Sequence, residues 1–402
     1  MRRSHSHENP FLAVSQQKKI STNTNTLIID GEWGVEVEED SPFLEPSSLI
    51  SSHHTTYCIL LMLYIYFMLF LVGSRSVRSF VLPKATLSLP RSKDLPYRFM
   101  TTTPTSRNVD DLLANQLEVP LETAIQLHNS DSNKNVVFFD GSWWLGEPDK
   151  ARVAYETGPR IAGAYFYDID KVASTTPDLN PKGLPHMMPP AALQAAFMDA
   201  CGVTNQHHVI VYGQDQCPFV HRAWYQIMAM GHGVERTHLL AGSLQDWINA
   251  GGPVDTQPTK TLNVNELPTT TTMSSSYQAV HPGRRVVSME ELKQLIRDDP
   301  TSIQIVDARS AERFTAQVDE PRPGLRRGHH PGAQNIFFAN VLQTDSVVQL
   351  RDGETLTALT QGLDHSRRII ASCGSGATGC TVLAALVKAG YNPDQLALYD
   401  GR

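Results

Sequence analysis

Cysteine is scarce in this chain, with five residues among 402: Cys58, Cys201, Cys217, Cys373 and Cys380. A fold held together by disulfides needs a much denser set, so a disulfide scaffold is excluded and a reducing compartment is expected. The cysteines and histidines also lack the paired spacing that is typical of zinc sites. The sequence therefore predicts no bound metal.

An excess of positive charge is missing as well. The 41 acidic residues outnumber the 34 basic ones and leave a net charge of −7, so nothing global indicates nucleic acid as a partner. A clear membrane-spanning run is also missing, because the apolar segment at residues 57–73 falls just short of the usual length. What the chain does have is length, and 402 residues predict two or three domains.

Residues 1–108 are predicted to combine a disordered extension, the apolar segment and an organelle leader. Residues 1–56 are polar and show no apolar periodicity, which favours disorder. The stretch after the apolar segment is rich in Arg and Ser and poor in acid, and Arg98 shortly precedes a position that resembles a mitochondrial processing site. We favour a cleaved leader, mitochondrial before plastid, with the true start at Met62 or Met68. The alternative is that the apolar segment anchors the protein in a membrane.

Short apolar strands alternate with helical patterns beyond residue 109. This alternation favours an α/β fold in which helices flank a central, mainly parallel sheet. The predicted strands are 136–140, 164–168, 208–212 and 237–241, and the predicted helices are 190–202, 219–231 and 244–250.

The same pattern then repeats. Ser288 and Glu291 form a capping box that opens a helix running to about Asp299, and residues 303–307 mirror residues 136–140. A period this long indicates a duplication of whole domains. The predicted parts are a first domain over residues 109–254, a Pro-, Thr- and Ser-rich linker over 255–283, and a second domain over 284–402.

Residues 367–390 carry the strongest chemical signal, a strand, a glycine-rich turn and a helix that Gly390 ends. The turn places Cys373 at the bottom of a bowl of backbone N–H groups, at the positive end of the helix. Such a cradle favours a thiolate or a persulfide over a thiol, so Cys373 is predicted to be a nucleophile. The alternative is a buried structural cysteine. Cys380 is expected to pack within the helix, with a resolving thiol as the alternative.

The sequence Cys373-Gly-Ser-Gly-Ala-Thr378 resembles the active-site loop of the rhodanese superfamily. Within that superfamily it is most similar to the 3-mercaptopyruvate sulfurtransferase family, and the resemblance extends over roughly residues 109–402. It implies two tandem rhodanese-like domains. Gly374 stands where thiosulfate sulfurtransferases carry a cation, which disfavours thiosulfate as the donor. Gly379 stands where the related phosphatases carry an arginine, which disfavours a phosphatase.

The resemblance implies that Cys373 takes the sulfur of 3-mercaptopyruvate as a persulfide and releases pyruvate. The sulfur would then pass to a thiol, such as thioredoxin or a small thiol, or to cyanide. No metal or organic cofactor is implied. The alternatives are a thiosulfate sulfurtransferase and a non-catalytic rhodanese-like sulfur carrier or interaction module.

The resemblance also implies a set of substrate-binding residues. Arg313 and Arg322 match two arginines that clamp the carboxylate and carbonyl of the substrate, a role for which the guanidinium fork is suited. The alternative is that they form ion pairs with neighbouring acids such as Glu320. Thr378 is expected to cap the helix more than to touch substrate. The loop residues expected at the substrate are Gly374, Gly376, Ala377 and Thr378.

Proton transfer is assigned by the resemblance to Ser375 together with Asp170 and His186. Histidine suits proton traffic near neutral pH. Pro185 replaces the aspartate that the family often has before this histidine, so a structural hydrogen bond of His186 is the alternative.

The first copy is expected to be inactive and to supply a wall of the cleft. Its loop has Gly213 or Gln214 opposite Cys373, and Cys217 is out of register and precedes Pro218, which has no N–H to donate. At the other end of the chain, the family continues with Ser-Trp and a helix, whereas this sequence stops at Arg402. A fragmentary C-terminus that leaves apolar surface uncovered is therefore expected.

Overall fold

The computed structural model describes residues 108–130, 135–215, 217–268, 275–321 and 324–400. The predicted leader with its apolar segment, Arg322 and residues 401–402 lie outside these ranges. Within the described ranges, no helix combines the length and the apolar character that a membrane crossing requires.

The first half is built on five parallel strands and two short antiparallel ones. The parallel strands are β1 (Glu118–Pro120), β2 (Val136–Asp140), β4 (Tyr165–Phe166), β5 (His208–Gly213) and β6 (Thr237–Ser243), and β3 (Arg160–Ile161) pairs antiparallel with β7 (Val254–Asp255). The order across the parallel sheet is β1-β6-β5-β2-β4. The helices are α1 (Val109–Leu113), α2 (Leu121–Asn129), α3 (Lys150–Thr157), α4 (Ala191–Ala200), α5 (Val220–Ile227) and α6 (Leu244–Asn249), with a π turn over Met228–His232.

The second half has a sheet of the same topology. Its strands are β8 (Val286–Val287), β9 (Ile303–Asp307), β10 (Gln334–Asn335), β11 (Arg368–Ser372) and β12 (Leu396–Tyr399), all parallel in the order β8-β12-β11-β9-β10. The helices are α7 (Met289–Asp298), α8 (Ala311–Phe314), α9 (Gly353–Thr360) and α10 (Ala377–Lys388). Short 3₁₀ turns lie at Val264–Glu266, Gly283–Arg285, Phe338–Val341 and Pro393–Gln395. Two parallel sheets with flanking helices confirm the predicted α/β class.

Alternate residues of each strand face opposite sides, so each sheet has two apolar faces to cover. In the first half, one face packs on α1, α2 and α6, with Trp247 fully buried. The other face of that sheet and one face of the second sheet enclose α5 and α10, which pack on each other in a shared core. Every residue of α5 is buried for this reason, including polar ones such as His221 and Arg222. Helix α10, which begins shortly after Cys373, therefore packs on α5 of the first half.

The stretch predicted to be a linker packs on the first half where it is described. Thr261 donates to the Glu156 carboxylate through its backbone N–H at 3.1 Å and its hydroxyl at 3.0 Å. Further along, the backbone N–H groups of Ser276 and Tyr277 donate to Asp199 Oδ1 at 3.1 and 2.9 Å, and the Tyr277 ring is fully buried. The described parts of this predicted linker therefore pack on the first half and are not solvated throughout.

Most predicted elements are confirmed, with two corrections. The strands at residues 136–140 and 303–307 and the capping box of Ser288 with Glu291 are present as predicted. The strand predicted at 164–168 is confined to Tyr165–Phe166, because the Asp168 carboxylate accepts the backbone N–H of Asp170 and turns the chain. The helix predicted over 219–231 ends at Ile227 and widens into the π turn.

Candidate active site

Cys373 lies between the end of β11 and the start of α10, and its side chain is partly exposed. Gly376 adopts φ 85° just before the helix, and its backbone N–H donates to Cys373 Sγ at 3.1 Å. A donor aimed at sulfur from the first turn of a helix stabilises negative charge on that sulfur. The Gly376 N–H therefore lies where it would stabilise negative charge on the Cys373 sulfur.

Gly376 is required at this point for two independent reasons. Its positive φ is a conformation that residues with a Cβ rarely adopt. A Cβ placed there would also lie 2.8 Å from Arg222 Nη1 and 3.1 Å from Asp400 Oδ1. The loop can approach these two charged groups only through a residue with no side chain.

Cys373 opens into a cavity of about 270 Å³. Arg313 and Glu320 are among its charged lining groups, whereas most of its other walls are apolar. The first half contributes Trp143 and Phe219, whose rings meet edge to face at 5.1 Å. The loop residues that line it are Cys373, Gly374, Ser375, Ala377 and Thr378. The cavity therefore combines a partly exposed thiol, a cation and an apolar wall from the other half.

Arg313 is held by a carboxylate within this cavity. Its Nε and Nη2 donate to Glu320 at 3.2 and 2.5 Å, and Arg309 Nη1 donates to the same carboxylate at 2.7 Å. Burial raises the pKa of Glu320, but the hydrogen bonds and charges of Arg313 and Arg309 outweigh burial and hold that pKa below its usual range. The ion pair that the sequence left open as an alternative is therefore formed. Arg322 is outside the described residues.

Asp170 and His186 come together, although 16 positions separate them in the sequence. His186 Nδ1 lies 2.5 Å from Asp170 Oδ1, and Trp143 Nε1–H donates to Asp170 Oδ2 at 2.7 Å. Burial raises the pKa of Asp170, but the hydrogen bonds of His186 and Trp143 and the charges of His186 and Lys171 together outweigh burial and lower that pKa overall. Neither residue is among the lining of the cavity described above, whereas Trp143, which touches both, is. The Trp143 indole therefore lies between the Asp170–His186 pair and the cavity.

Thr378 does not cap α10, which corrects the sequence prediction. The N-cap position belongs to Gly376, no side chain supplies a cap hydrogen bond, and Thr378 is the second residue of the helix. The backbone N–H of that N-cap glycine donates instead to Cys373 Sγ at 3.1 Å. Cys380 is fully buried and its thiol donates to the Gly376 carbonyl at 3.1 Å. Burial raises the pKa of the Cys380 thiol, so it remains protonated.

Sequence reasoning missed Arg222, a residue of α5 in the first half. Its side chain is fully buried, donates from Nη1 to Asp400 Oδ1 at 3.1 Å, and donates from Nη2 to the His186 carbonyl. Asp400 Oδ2 also accepts the Met188 backbone N–H at 2.9 Å. Burial would lower the pKa of Arg222, but the charge and hydrogen bonds of Asp400, together with the interaction with Cys380, outweigh burial and raise that pKa. No local pattern around Arg222 marks it as part of a site.

The loop of the first half is filled by its own side chains. Gln214 donates its amide to Asp140 Oδ2 at 2.8 Å, and its backbone N–H donates to Ser142 Oγ at 2.7 Å. Cys217 is fully buried against the backbone of Trp143, and burial raises the pKa of its thiol to about 11. In the part of this loop that the structure describes, no thiol is both exposed and surrounded by donors.

Comparison with known proteins identifies the family. A model of the rhodanese-like domain matches residues 288–401. The chain is 33% identical over 258 residues to 3-mercaptopyruvate sulfurtransferase of Escherichia coli K12, covering 64% of this chain and 83% of that protein. It is 28% identical over 294 residues to the mitochondrial thiosulfate/3-mercaptopyruvate sulfurtransferase 1 of Arabidopsis thaliana, covering 70% and 74%.

Solved structures agree with this result. The crystal structure of Escherichia coli SseA, a 3-mercaptopyruvate sulfotransferase with the rhodanese fold, is 28% identical with a TM-score of 0.55 and covers 71% of this chain and 98% of SseA. Tum1 of Saccharomyces cerevisiae is 25% identical with a TM-score of 0.58 and covers 71% and 93%. The chain belongs to the rhodanese superfamily, in the 3-mercaptopyruvate sulfurtransferase family, and is a sulfurtransferase.

Proposed function

We propose that the enzyme moves the sulfur of 3-mercaptopyruvate through a persulfide on Cys373. The observation that carries the proposal is the partly exposed Cys373 sulfur, which accepts the Gly376 N–H and shares a cavity with Arg313. A nucleophilic sulfur and a cation for the donor's carboxylate are the two groups that this chemistry requires. The names of the relatives support the choice of donor.

In the first step the Cys373 thiolate attacks the thiol sulfur of the donor. A new S–S bond forms, the carbon–sulfur bond breaks, and its electron pair stays on carbon as the enolate of pyruvate. Protonation of that carbon yields pyruvate, and the enzyme holds Cys373–S–SH or its anion. Arg313 binds the donor's carboxylate: two of its nitrogens are engaged by Glu320, and Nη1 has no hydrogen-bond partner among the described residues. Arg322 is the second clamp in this proposal.

Proton delivery to the enolate is assigned to Ser375, supported by Asp170 and His186. Ser375 lines the cavity beside Cys373. His186 is close to the first-half wall of the cavity through the contact of its ring with Trp143, at 4.4 Å between centroids. Histidine next to a carboxylate is a common arrangement for proton transfer near neutral pH.

In the second step an acceptor thiolate attacks the outer sulfur of the persulfide. The bond between the two sulfurs breaks, the acceptor leaves as its persulfide, and the Cys373 thiolate is restored. Thioredoxin or a small thiol is the proposed acceptor; cyanide, as the other proposed acceptor, would attack the same sulfur and leave as thiocyanate. In the same proposal residues 284–402 are the catalytic domain, residues 109–254 are a non-catalytic one, and the leader is cleaved in mitochondria, as the name of one plant relative supports.

The test is mass spectrometry of the intact protein after exposure to 3-mercaptopyruvate. We expect one added sulfur on Cys373 and release of pyruvate in equal amount, and loss of both in Cys373→Ser. A folded protein that gains no sulfur would instead be a rhodanese-like carrier or interaction module.

Thiosulfate is the second candidate donor, because relatives in Arabidopsis thaliana are named for both donors. Gly374 offers no cation for a dianion, so we expect kcat/KM to be higher for 3-mercaptopyruvate. A higher kcat/KM for thiosulfate would reverse the assignment.

A further inference from the structure

The active-site loop rests on a buried arginine from the other half of the molecule. Arg222 belongs to α5, and α5 packs on α10, the helix that begins directly after the loop. The Arg222 guanidinium is fully buried, and Nη1 lies 2.8 Å from the point where a Cβ of Gly376 would be. The cation therefore lies beside the residue that donates to the Cys373 sulfur, close enough to exclude a side chain there.

Arg222 also holds two other segments at the site. Its ion pair with Asp400, at 3.1 Å between Nη1 and Oδ1, fixes the end of β12. Its Nη2 donates to the His186 carbonyl, and Asp400 accepts the N–H of Met188 at 2.9 Å, so the segment that carries His186 is fixed from both sides. One guanidinium thus sets the position of the cysteine loop relative to the Asp170–His186 pair.

The position of α10 that is equivalent to Arg222 of α5 carries no cation. Aligning α5 and α10 on Gly231 and Gly390 places Thr381 opposite Arg222. Thr381 is fully buried, and its Oγ1 lies 3.3 Å from His221 Nδ1. Burial lowers the pKa of His221 to about 3, so this contact is uncharged near neutral pH. At these equivalent positions, α5 therefore places a charged side chain beside the loop that carries Cys373, whereas α10 places a neutral one beside α5.

We propose that Arg222 is a positioning residue for sulfur transfer. It keeps the Gly376 N–H directed at the Cys373 sulfur, and it keeps His186 at a fixed position relative to that sulfur. This inference rests on the proposed function for its kinetic consequences. A displacement of about 1 Å in such a loop is enough to cost roughly a hundredfold in rate.

The kinetic test is kcat per persulfide-forming site, with those sites counted by mass spectrometry, so that misfolded protein does not contribute. We expect Arg222→Met to lower this kcat by at least ~10-fold while KM for 3-mercaptopyruvate changes by less than ~2-fold, because Arg313 and the donor cavity are untouched. Arg222→Lys retains the charge but loses the fork, and we expect it to recover part of the loss. A merely structural role predicts fewer active sites with an unchanged kcat per site.

Two further variants keep the test decisive. Arg222→Met leaves Asp400 buried without its partner, so the double variant with Asp400→Asn is made in case the single one fails to fold. Arg160→Met is the matched control, since Arg160 is a buried arginine of the same half that donates to the carbonyl of Gln257 at 2.9 Å. We expect the control to change stability and not kcat per site. Equal kcat per site in Arg222→Met, the double variant and the wild type overturns the proposal.

A second measurement is independent of the donor. Alkylation of Cys373 by iodoacetamide near neutral pH, read by peptide mass spectrometry, reports the thiolate. We expect it to slow by ~5-fold or more in Arg222→Met and not in Arg160→Met, because the loop donor is released. Absence of any persulfide in the wild type would refute the proposed function, and these alkylation rates would still support or overturn the role of Arg222.

Discussion

The loops after β5 and β11 occupy equivalent places in two sheets of the same topology, yet they differ in the exposure of their thiols: Cys217 is fully buried, whereas Cys373 is partly exposed. An aspartate at the end of the neighbouring strand faces each loop. In the first half, the Gln214 amide reaches Asp140, and burial raises the pKa of that carboxyl to about 6. In the second half, Arg309 binds Asp307 at 3.0 Å from Nε to Oδ1, and no loop side chain is used for it.

The comparison shows how one architecture can either fill its strand-end loop or keep it open. In the first half, the neutral side-chain amide of Gln214, a residue of the loop itself, binds Asp140 and fills the site. In the second half, Arg309, two positions beyond the end of β9, binds Asp307, so the side chains of the Cys373 loop are not needed for this. The two loops therefore differ in which group binds the carboxylate at the end of the neighbouring strand.

The largest effect should come from exchanging the sulfur in each loop. Cys373→Ser is expected to abolish turnover and persulfide formation with little change in the free energy of unfolding, because the replacement is small and its site partly exposed. Cys217→Ser should retain turnover, because the Cys217 thiol is buried. The measurements are pyruvate release and denaturant unfolding. Turnover lost in both variants would mean that the two loops are not chemically distinct.

The next effect concerns the backbone of the open loop. Gly376→Ala is expected to lower kcat by more than ~10-fold and to destabilise the fold by roughly 2–4 kcal/mol, since a positive φ and a close contact with Arg222 are both violated. Gly390→Ala is the matched control, because Gly390 has φ 88° with no atom within 4 Å of its Cβ position. It should cost about 1 kcal/mol and leave kcat unchanged. Equal kinetics for the two variants would show that the close contact is unimportant.

A smaller effect separates the arginines of the two halves. Arg313→Ala is expected to raise KM for 3-mercaptopyruvate by ~10-fold or more, as expected for loss of a charged hydrogen bond to a carboxylate. Arg152→Ala in the first half removes a comparable arginine, paired with Glu156 at 2.8 Å, and should leave KM unchanged. Steady-state kinetics check both. Unaltered kinetics in Arg313→Ala would remove it from the donor site.

The smallest expected effect is a pH dependence of stability that belongs to the first half. His238 is buried between β5 and the Gln116 carbonyl, and burial lowers its pKa to about 4. A histidine with a depressed folded-state pKa stabilises the fold above its unfolded pKa, and this stability is lost as pH falls from about 6.5 to about 4. We expect the protonation of His238 on unfolding to lower the free energy of unfolding by about 2 kcal/mol between pH 7 and pH 5.

The measurement for His238 is urea unfolding of the wild type and His238→Asn at both pH values. The difference between the two proteins isolates this side chain from other titrating groups. An equal pH dependence in the two proteins would contradict the expectation.

The sequence was sufficient wherever the determinants are close together along the chain. The capping box of Ser288 with Glu291, the buried runs at residues 136–140 and 303–307, and the glycine turn after Cys373 all depend on spacings of a few residues. Where a neighbour along the chain competed, the prediction was wrong, as for the strand cut short by Asp168 and for the cap assigned to Thr378.

What the sequence by itself determined is the α/β alternation and the glycine turn that brings the Gly376 N–H to the Cys373 sulfur, because periodicity and glycine act locally. Only the tertiary structure decided which groups surround that cysteine. Arg222 meets Asp400 across 178 positions, and Trp143 meets Asp170 across 27. The first of these contacts is set by the packing of the two halves on a shared core and the second by the folding of the first half, and no spacing along the chain encodes either.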